Sequence, residues 1–314
     1  MMLGKTAGGL FWMFRYLERS ENLARLVDAG FRMALTRSED AEDEWRSVIS
    51  TAGVQTGFAE KHDTYEYATV VDYVLREKSN PSSVLSVLDN ARNNARLVRT
   101  ALTREAWEAT NETWINISES LSRPVREKDL PGVLAEIRHH SALVRGALHG
   151  TMLRNEVYNF CRLGTFVERA DNTARILDVK YYVLLPSAAS VGSSLDNVQW
   201  ETVLRSVSAL NSFRWLHKGK MSPRNIAQFL VLERIQPRSL AFCMSKINDN
   251  LGYLAEDYGE QHDCHAMADG LNARLRNQSI NDIFDLGLHE FIGSLIRDTH
   301  MLGRQIETDY RFIE

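Results

Sequence analysis

The chain contains the same charged phrase twice, and this repeat limits its possible folds more than any other feature. The first copy reads RYLERSENLARLVDA over residues 15–29, and the second reads TFVERADNTARILDV over residues 165–179. Between the aligned segments 18–28 and 168–178, six of eleven positions carry the same residue. Because a repeated segment indicates a structural unit that is used more than once, we expect two similar units in this chain.

Further matches follow the first one in the same order. Trp45 corresponds to Trp200, each opening an amphipathic helical segment, and residues 70–81 correspond to residues 226–237. The offset is 150 residues at the charged phrase and about 155 at these later matches. A short insertion is therefore expected between them, at residues 184–194.

Apolar residues recur every three or four positions, which is the spacing of one helix face. The segment VLSVLDNARNNARLVRTAL, beginning at residue 84, shows this pattern clearly. Asn80 before Pro81 and Gln236 before Pro237 predict two helix starts, because proline suits the first helical position and Asn is a good N-cap. The sequence therefore predicts an all-α fold.

The two halves of the chain, approximately residues 1–150 and 151–314, have no Gly/Ser-rich or Pro-rich linker between them. Residues 138–160 instead continue the helical pattern through the middle of the chain. We predict one domain over residues 1–314, a helical bundle built from two similar halves with internal pseudo-twofold symmetry.

Composition argues against several classes of partner. The formal net charge is −4 and the pI is about 6.2, so the chain lacks the basic surplus by which proteins bind nucleic acid or anionic lipid. Charge at Arg15 interrupts the apolar N-terminal stretch well short of the ~20 residues of a membrane span, and no signal-peptide pattern is present. Three widely spaced cysteines favour neither a disulfide framework nor a zinc site. We expect a cytoplasmic protein with no nucleic-acid or membrane partner.

The two copies of the charged phrase carry the same residue types on one polar helix face, which supplies the candidate site. The candidates are Arg15, Glu18, Asn22, Arg25, Glu168, Asn172 and Arg175. One interpretation is a solvated face held by i,i+4 pairs such as Glu21–Arg25 and Asp171–Arg175. A solvated face, however, has no physical need to repeat the same residue types at the same positions.

The leading interpretation is a partly buried ionic network in which the two repeated helices meet, with Glu18 facing Arg175 and Glu168 facing Arg25. Such a network would specify the register of the helices more than it would add stability, since buried ions lose their hydration. A third interpretation is a ligand or catalytic site. In that case the arginines would hold a carboxylate or phosphate, and the two glutamates would supply an acid and a base.

Motifs for metal and nucleotide chemistry do not occur in the sequence. Neither Glu18 nor Glu168 is followed by His three residues later, which argues against a di-iron site. Gly-rich phosphate loops, HExxH and GxSxG are also missing. The HDCH segment at residues 262–265 offers too few ligands at a recognisable spacing and is interpreted as a surface turn. We expect no metal and no cofactor.

A weaker set of candidates lies in the first half of the chain. Its members are polar side chains and one indole: Arg92, Asn94, Arg96, Trp107 and Asn111. Thr103 predicts a capped helix start just before them. The simpler interpretation is a helix that buries the indole of Trp107 and gives its N–H a nearby acceptor.

The residues assembled so far resemble the Alpha-E family of bacterial all-helical domains. The resemblance rests on TAGGLFWMFRYLERSENLARLVD, NPSSVLSVLDNARNNARLVRTALTREAWEATN, FCRLGTFVERADNTARILDVKYY and FDLGLHEFIGSLIRDTHMLGRQIETDYRF, which occur in this order and span nearly the whole chain. Phe14 departs from the family pattern because a small residue usually precedes the Arg-Tyr pair, whereas Gly164 keeps that character in the second copy. Arg92 and Arg96 have no counterpart in the second half, which reads INDNLG there.

The resemblance implies a genomic and biochemical context rather than an activity of the protein itself. Members of the family are typically encoded beside, or fused to, circularly permuted ATP-grasp proteins and transglutaminase-like proteins, which implies a system that makes or processes amide-linked peptides. We therefore expect a non-catalytic helical partner of an ATP-grasp-type amide ligase or of its peptide, with a transglutaminase-like protein as a further partner. The alternatives are an enzyme of amide-bond formation or cleavage that uses the Glu/Arg cluster, and a structural homo-oligomer.

Overall fold

The computed structural model describes residues 2–36, 41–183, 194–217 and 221–313. The insertion expected at residues 184–194 lies, except for its last residue, outside the described residues. All regular structure in the described ranges is helical, so the prediction of an all-α fold is confirmed. The helices are α1 (Gly4–Thr36), α2 (Ala41–Ala52), α3 (Gln55–Ala59), α4 (Tyr67–Leu75), α5 (Val84–Leu97), α6 (Arg104–Ser120), α7 (Leu130–Thr151), α8 (Glu156–Val183), α9 (Ser194–Ser206), α10 (Leu210–His217), α11 (Pro223–Leu232), α12 (Leu240–Tyr258), α13 (Asp263–Asn277), α14 (Ile280–Leu286) and α15 (Leu288–Asp309).

The two helices that carry the charged phrase lie together at the centre of the molecule. Helix α1 also packs against α2, α5 and α7, while α8 also packs against α12 and α15. One cluster of buried apolar side chains extends from Ala7 to Phe312 and includes residues from both sequence halves. The pseudo-twofold relation between the halves, and their union in one domain, stay predictions.

Helices α1 and α8 run parallel to each other. The backbone N–H of Met2, just before α1, donates to Glu156 Oε2 at the start of α8 at 3.2 Å. Further along, a Cβ added to Gly164 would lie only 2.1 Å from the carbonyl oxygen of Phe11. The missing side chain at Gly164 therefore allows a close approach of the two backbones, while Phe14 on α1 is buried in the core.

Both predicted helix starts at the prolines are wrong by three residues. The helices begin at Val84 and Leu240, where Ser83 and Ser239 are the N-caps and accept from backbone N–H groups at 3.3 and 3.1 Å. Asn80 is not an N-cap. Its amide donates to Tyr73 O and its Oδ1 accepts from the N–H of Ser82, both at 3.0 Å. This side chain stabilises the turn before the helix rather than the helix itself.

The prediction of continuous helix over residues 138–160 is also wrong. Helix α7 ends at Thr151 and α8 begins at Glu156. Arg154 folds back over the end of α7, and its guanidinium donates to the carbonyl oxygens of His149 at 2.8 Å and Met152 at 3.1 Å. A cation that binds the last carbonyls of a helix stabilises its C-terminus.

None of the helices in the described ranges combines the length and the apolar character needed to cross a bilayer.

Candidate functional site

The centre of the α1–α8 contact is a reciprocal exchange of ion pairs. Arg169 donates from Nε and Nη2 to the two carboxylate oxygens of Glu18, both at 2.9 Å. Arg19 donates in the same way to the two carboxylate oxygens of Glu168, at 2.5 and 2.9 Å. The glutamate of each Glu-Arg dipeptide therefore binds the arginine of the dipeptide on the other helix. Both pairs have the bidentate geometry of strong Arg–carboxylate bonding.

Two further arginines reach the carboxylate of Glu18. Arg238, in the turn before α12, donates to Glu18 Oε1 and Asn22 Oδ1 at 2.9 Å and to Glu21 Oε1 at 2.8 Å. Arg145 on α7 lies within ion-pair distance of Glu21 and, at 3.6 Å, of Glu18. Both glutamates are buried, with exposed fractions of 1% or less. The first half of the network is therefore part of the protein interior.

The second half of the network surrounds Glu168. Arg15 donates from Nε to Glu168 Oε2 at 3.1 Å. One turn further along α8, Asp171 accepts from Arg175 Nε at 2.8 Å and lies 2.8 Å from the Nε2 atom of His300 on α15. Glu168 and Asp171 are buried, whereas His300 and Arg175 lie at the edge of the network and reach solvent.

Positive charge exceeds negative charge in this network. In the described part of the chain, seven guanidinium groups lie within ion-pair distance of four carboxylates. The arginines are Arg15, Arg19, Arg25, Arg145, Arg169, Arg175 and Arg238, and the carboxylates are Glu18, Glu21, Glu168 and Asp171. The formal surplus is three positive charges, which favours an acceptor-rich anion nearby.

The surrounding cations keep the acidic groups ionised. Burial alone would raise the pKa of Glu18, but Arg169, Arg238 and Arg145 hold that pKa well below its usual range. Arg19 and Arg15 overcome burial in the same way and lower the pKa of Glu168. These glutamates are consequently poor proton donors and weak proton acceptors near neutral pH.

The predicted cross-helix pairs Glu18–Arg175 and Glu168–Arg25 are wrong. In the parallel packing of α1 and α8, Glu18 lies level with Arg169. Arg175 lies six residues further along α8, which is about 9 Å at the ~1.5 Å rise of a helix. The network was predicted correctly as a meeting of the two helices, but its partners are the arginines next to the glutamates.

Arg25 and Arg175 pair instead within their own helices. The predicted i,i+4 pairs Glu21–Arg25 and Asp171–Arg175 are confirmed, at 2.6 and 2.8 Å. They do not lie on a solvated face, because both carboxylates are buried. The local pairs and the cross-helix pairs therefore belong to one buried network.

A cleft of about 240 Å³ opens beside the second half of the network; we call it the Glu168 cleft. Five of the seven candidates line it, namely Arg15, Asn22, Glu168, Asn172 and Arg175. Arg19, Asp171, Ser82 and His300 line it as well. The other two candidates, Glu18 and Arg25, do not line this cleft.

Two amide groups in the Glu168 cleft have unused donors. The Nδ2 atoms of Asn22 and Asn172 are buried and have no hydrogen-bond partner among the described residues. Asn22 is only 3% exposed, and its Oδ1 already accepts from Arg238. Because an unpaired buried donor is costly, these two groups indicate that the cleft suits a ligand with acceptor atoms.

The side chain before each N-cap serine differs between the two halves of the network. Arg238 precedes Ser239 and fills the space beside Glu18 with its guanidinium. Ser82 precedes Ser83 and lines the Glu168 cleft instead. The short side chain at Ser82 leaves room that a long arginine occupies on the other side of the network.

Several residues of the site were not among the candidates predicted from the sequence, for two different reasons. Arg19 and Arg169 lie in the repeated phrase and are identical in both copies, so the repeat itself could have identified them. Arg145, Arg238 and His300 lie on other elements and gave no local signal. Their contacts depend on the way that the bundle closes around α1 and α8.

The weaker candidates of the first half are not part of this site. Arg92 donates from Nε to Asn111 Oδ1 at 2.9 Å, while Arg96 is exposed. Asn94 lines a separate groove near the N-terminal end of α1. Trp107 is half-buried, with the guanidinium of Arg99 5.3 Å from its ring. The predicted N-cap at Thr103 is confirmed.

The HDCH segment is not a surface turn as predicted, because it begins helix α13. Cys264 and His265 are buried, and His265 Nε2 lies 3.1 Å from the carbonyl oxygen of Leu251. Across the described ranges, no group of three or more His, Cys, Asp or Glu side chains is arranged to hold a metal ion. Cys161, Cys243 and Cys264 are all free and buried.

The family match agrees with this geometry. The Alpha-E family model, described as a predicted alpha-helical domain with a conserved ER motif, matches residues 2–310. The Glu-Arg dipeptide occurs three times here, at residues 18–19, 168–169 and 233–234, and the first two form the reciprocal pairs.

The curated relatives that this chain matches are longer than the chain. An uncharacterized protein of Mycobacterium bovis and one of Mycobacterium tuberculosis strain CDC 1551 are each 22% identical to it, and a third, from M. tuberculosis strain H37Rv, is 21% identical. Each match covers 95% of this chain but 35% of the relative, so the chain spans about a third of the length of these relatives. No solved structure is significantly similar to it. The match to the family model over residues 2–310 shows that the chain belongs to the Alpha-E family.

Proposed function

We propose that this protein is a non-catalytic helical partner of an ATP-grasp-type amide ligase, and that its Glu168 cleft binds a carboxylate of the peptide which that ligase makes or modifies. Three guanidinium groups against two carboxylates in the lining of this cleft, together with two unpaired amide donors, carry the proposal. Arginine and amide N–H groups are the donors that bind carboxylates in proteins. The cleft, at about 240 Å³, suits the end of a peptide or one acidic side chain.

The electrostatics favour binding over catalysis. A general acid or base needs a pKa near the working pH, but the carboxylates here are kept ionised by arginines that are already bound to them. Thiol catalysis is disfavoured as well, because burial raises the pKa of Cys243 to about 12 and also raises the pKa values of Cys161 and Cys264.

The partnership with a ligase is supported by two observations. The sequence resembles a family whose members are encoded beside, or fused to, ATP-grasp and transglutaminase-like proteins. Consistent with fusion, the chain matches only about a third of each longer mycobacterial relative. In this proposal the ligase supplies the nucleotide chemistry in the cytoplasm and the helical protein holds the peptide.

Isothermal titration tests the peptide-binding part of the proposal. The probe is a short N-acetylated peptide with a free C-terminal carboxylate, and the same peptide with a C-terminal amide is its control. Arg175→Gln removes a cleft guanidinium that lies at the edge of the network, and we expect it to weaken binding about tenfold.

The matched control variant is Arg104→Gln, which also breaks an i,i+4 pair but affects an exposed side chain that does not line the cleft. It should bind like the original protein. Equal binding of the acid and amide peptides would contradict the proposal. Tighter binding of arginine amide, which has no carboxylate, than of the acid peptide would also contradict it.

Co-purification tests the partner. The native protein should retain an ATP-grasp protein at near-physiological salt. A defined homo-oligomer that retains no ATP-grasp protein would instead favour the alternative of a structural oligomer.

An amide-bond enzyme remains the second candidate function because of one pair in the same cleft. Asp171 lies 2.8 Å from His300 Nε2, an arrangement that can orient an imidazole for proton transfer. No hydroxyl or thiol of the described residues is hydrogen-bonded to His300. If the protein is an enzyme, His300→Gln should abolish turnover of a test peptide without changing the melting temperature.

A further inference from the structure

A second cleft lies beside the C-terminal part of α1, between that helix, α7 and the α9–α10 turn. Its volume is about 350 Å³, and we call it the Arg138 cleft. Four arginines line it, namely Arg25, Arg32, Arg138 and Arg205. It shares no lining residue with the Glu168 cleft.

The Arg138 cleft has one acidic side chain among its described lining residues. Asp28 pairs with two of the arginines, at 3.3 Å from Arg32 Nε and 3.6 Å from Arg138 Nη1. Arg205 pairs with Glu201 outside the lining, at 2.5 Å. Arg25 pairs with Glu21, likewise outside the lining, at 2.6 Å. Within the described lining, Asp28 is therefore shared by Arg32 and Arg138.

Arg138 is the least exposed of these arginines after Arg25, so water screens its charge less than it screens the charges of Arg32 and Arg205. Burial, together with nearby Arg25 and Arg32, lowers its pKa although Asp28 acts in the opposite direction. A cation in this environment would gain from an additional anion.

Hydroxyl groups lie beside these cations. Both Ser206 and Ser208 line the cleft, but the hydroxyl of Ser206 already donates to the carbonyl oxygen of Val203 at 2.8 Å. Ser208 Oγ instead accepts a hydrogen bond from Arg25 Nη1. Since that oxygen accepts, its own proton is available to donate to a ligand. Ser208 also has a φ angle of +53°, which a residue with a side chain rarely adopts. The turn holds this hydroxyl against Arg25.

We propose that the Arg138 cleft binds the phosphoryl group of a small phosphorylated molecule. Guanidinium forks and the hydroxyl of Ser208 match a tetrahedral anion with several acceptor oxygens and two negative charges. Binding is reversible and involves no covalent step. This site is separate from the proposed carboxylate site, and neither proposal depends on the other.

Titration with inorganic phosphate and with pyrophosphate, followed by calorimetry, tests the proposal on the full chain. Both anions should bind saturably, and Arg138→Gln should weaken binding about tenfold. Arg138→Lys, which keeps the charge but loses the fork, should recover only part of the affinity. Arg104→Gln should have no effect, because Arg104 does not lie in this cleft.

A phosphoserine peptide distinguishes the source of the phosphoryl group. Weaker binding of this peptide than of pyrophosphate supports a small-molecule ligand, whereas tighter binding of the peptide would overturn that assignment. Citrate serves as the carboxylate control. Lack of saturable phosphate binding at millimolar concentration, equal binding of citrate, or unchanged affinity in a folded Arg138→Gln variant would each overturn the proposal.

Discussion

Arg169 on α8 donates two hydrogen bonds of 2.9 Å to Glu18 on α1. The residues next to them in the sequence, Glu168 and Arg19, form the same contact with the arginine on α1 and the glutamate on α8. Arg19 binds Glu168 through the same two nitrogen positions, Nε and Nη2. Two glutamates and two arginines thus fix how far α1 and α8 slide along each other, since a shift of one turn would separate every pair.

Glu18→Gln should destabilise the protein by about 3–5 kcal/mol. The substitution keeps the shape of the side chain but leaves Arg169 and Arg238 buried without their shared negative charge. Urea unfolding measures the change in the free energy of unfolding. Glu108→Gln is the control because its pair with Arg104 is exposed, and it should cost less than about 0.5 kcal/mol. An equally small effect at Glu18 would show that the network adds nothing to folding.

Gly164→Ala should be strongly destabilising, by more than about 2 kcal/mol, or should prevent folding. The new methyl group would lie 2.1 Å from the backbone oxygen of Phe11, so α1 and α8 would have to move apart. Gly146→Ala makes the same change in α7, where nothing lies within 4 Å of the new Cβ. That variant should gain about 0.5–1 kcal/mol from helix propensity. Melting temperatures of the two variants give the comparison, and similar values would refute the close contact.

Acid should weaken the ionic centre in a defined pH range. Cations lower the folded-state pKa values of Glu18, Glu168 and Asp171 below their unfolded values of about 4. Their contribution is therefore fully present above about pH 5 and is lost as the pH falls below about 4. In urea unfolding between pH 7 and 3, the stability difference between the original protein and Glu168→Gln should narrow at the acidic end. A constant difference over the whole range would contradict this assignment.

His149 should make the stability of the protein depend on pH in a higher range than the carboxylates do. Burial, followed by Arg162 and Arg154, lowers the pKa of this imidazole to about 4. Arg162 Nη1 lies 3.2 Å from His149 Nε2 and can only donate, so this nitrogen accepts and the ring is neutral. The unfolded chain takes up a proton below about pH 6.5, but the folded protein does not, so stability falls as the pH decreases from about 6.5 to 4.

A His149→Gln variant should remove this pH-dependent loss. Allowing for partial exposure, we expect it to lose about 1 kcal/mol less than the original protein between pH 7 and pH 5. Thermal unfolding at the two pH values measures the difference. Identical pH dependence of both proteins would exclude the proposed role of His149.

The repeat made the centre of the site predictable from the sequence. Identical Glu, Asn and Arg residues in both copies of the charged phrase pointed to α1 and α8, and five of the seven candidates line the Glu168 cleft. The all-helical fold followed from the three-and-four spacing of apolar residues. Both results depend on local patterns, which a single sequence contains.

The contacts between distant elements could not be predicted in this way. Arg238, Arg145 and His300 reach the network from a turn and from two other helices, and no local pattern marks them. The pairing of Glu18 with Arg175 and of Glu168 with Arg25 failed because it requires antiparallel helices, whereas α1 and α8 are parallel. The direction and register of the two helices, including the close contact at Gly164, are seen only in the packed structure.

The central claim is that the two Glu-Arg dipeptides bind each other across the helix contact, and a double-mutant cycle tests it most directly. The cycle compares the unfolding free energies of the original protein, Glu18→Gln, Arg169→Gln and the double variant. We predict a coupling of about 2–3 kcal/mol, because the pair is buried and two-pronged. A coupling below about 0.5 kcal/mol would contradict the claim, since residues that do not interact have additive effects.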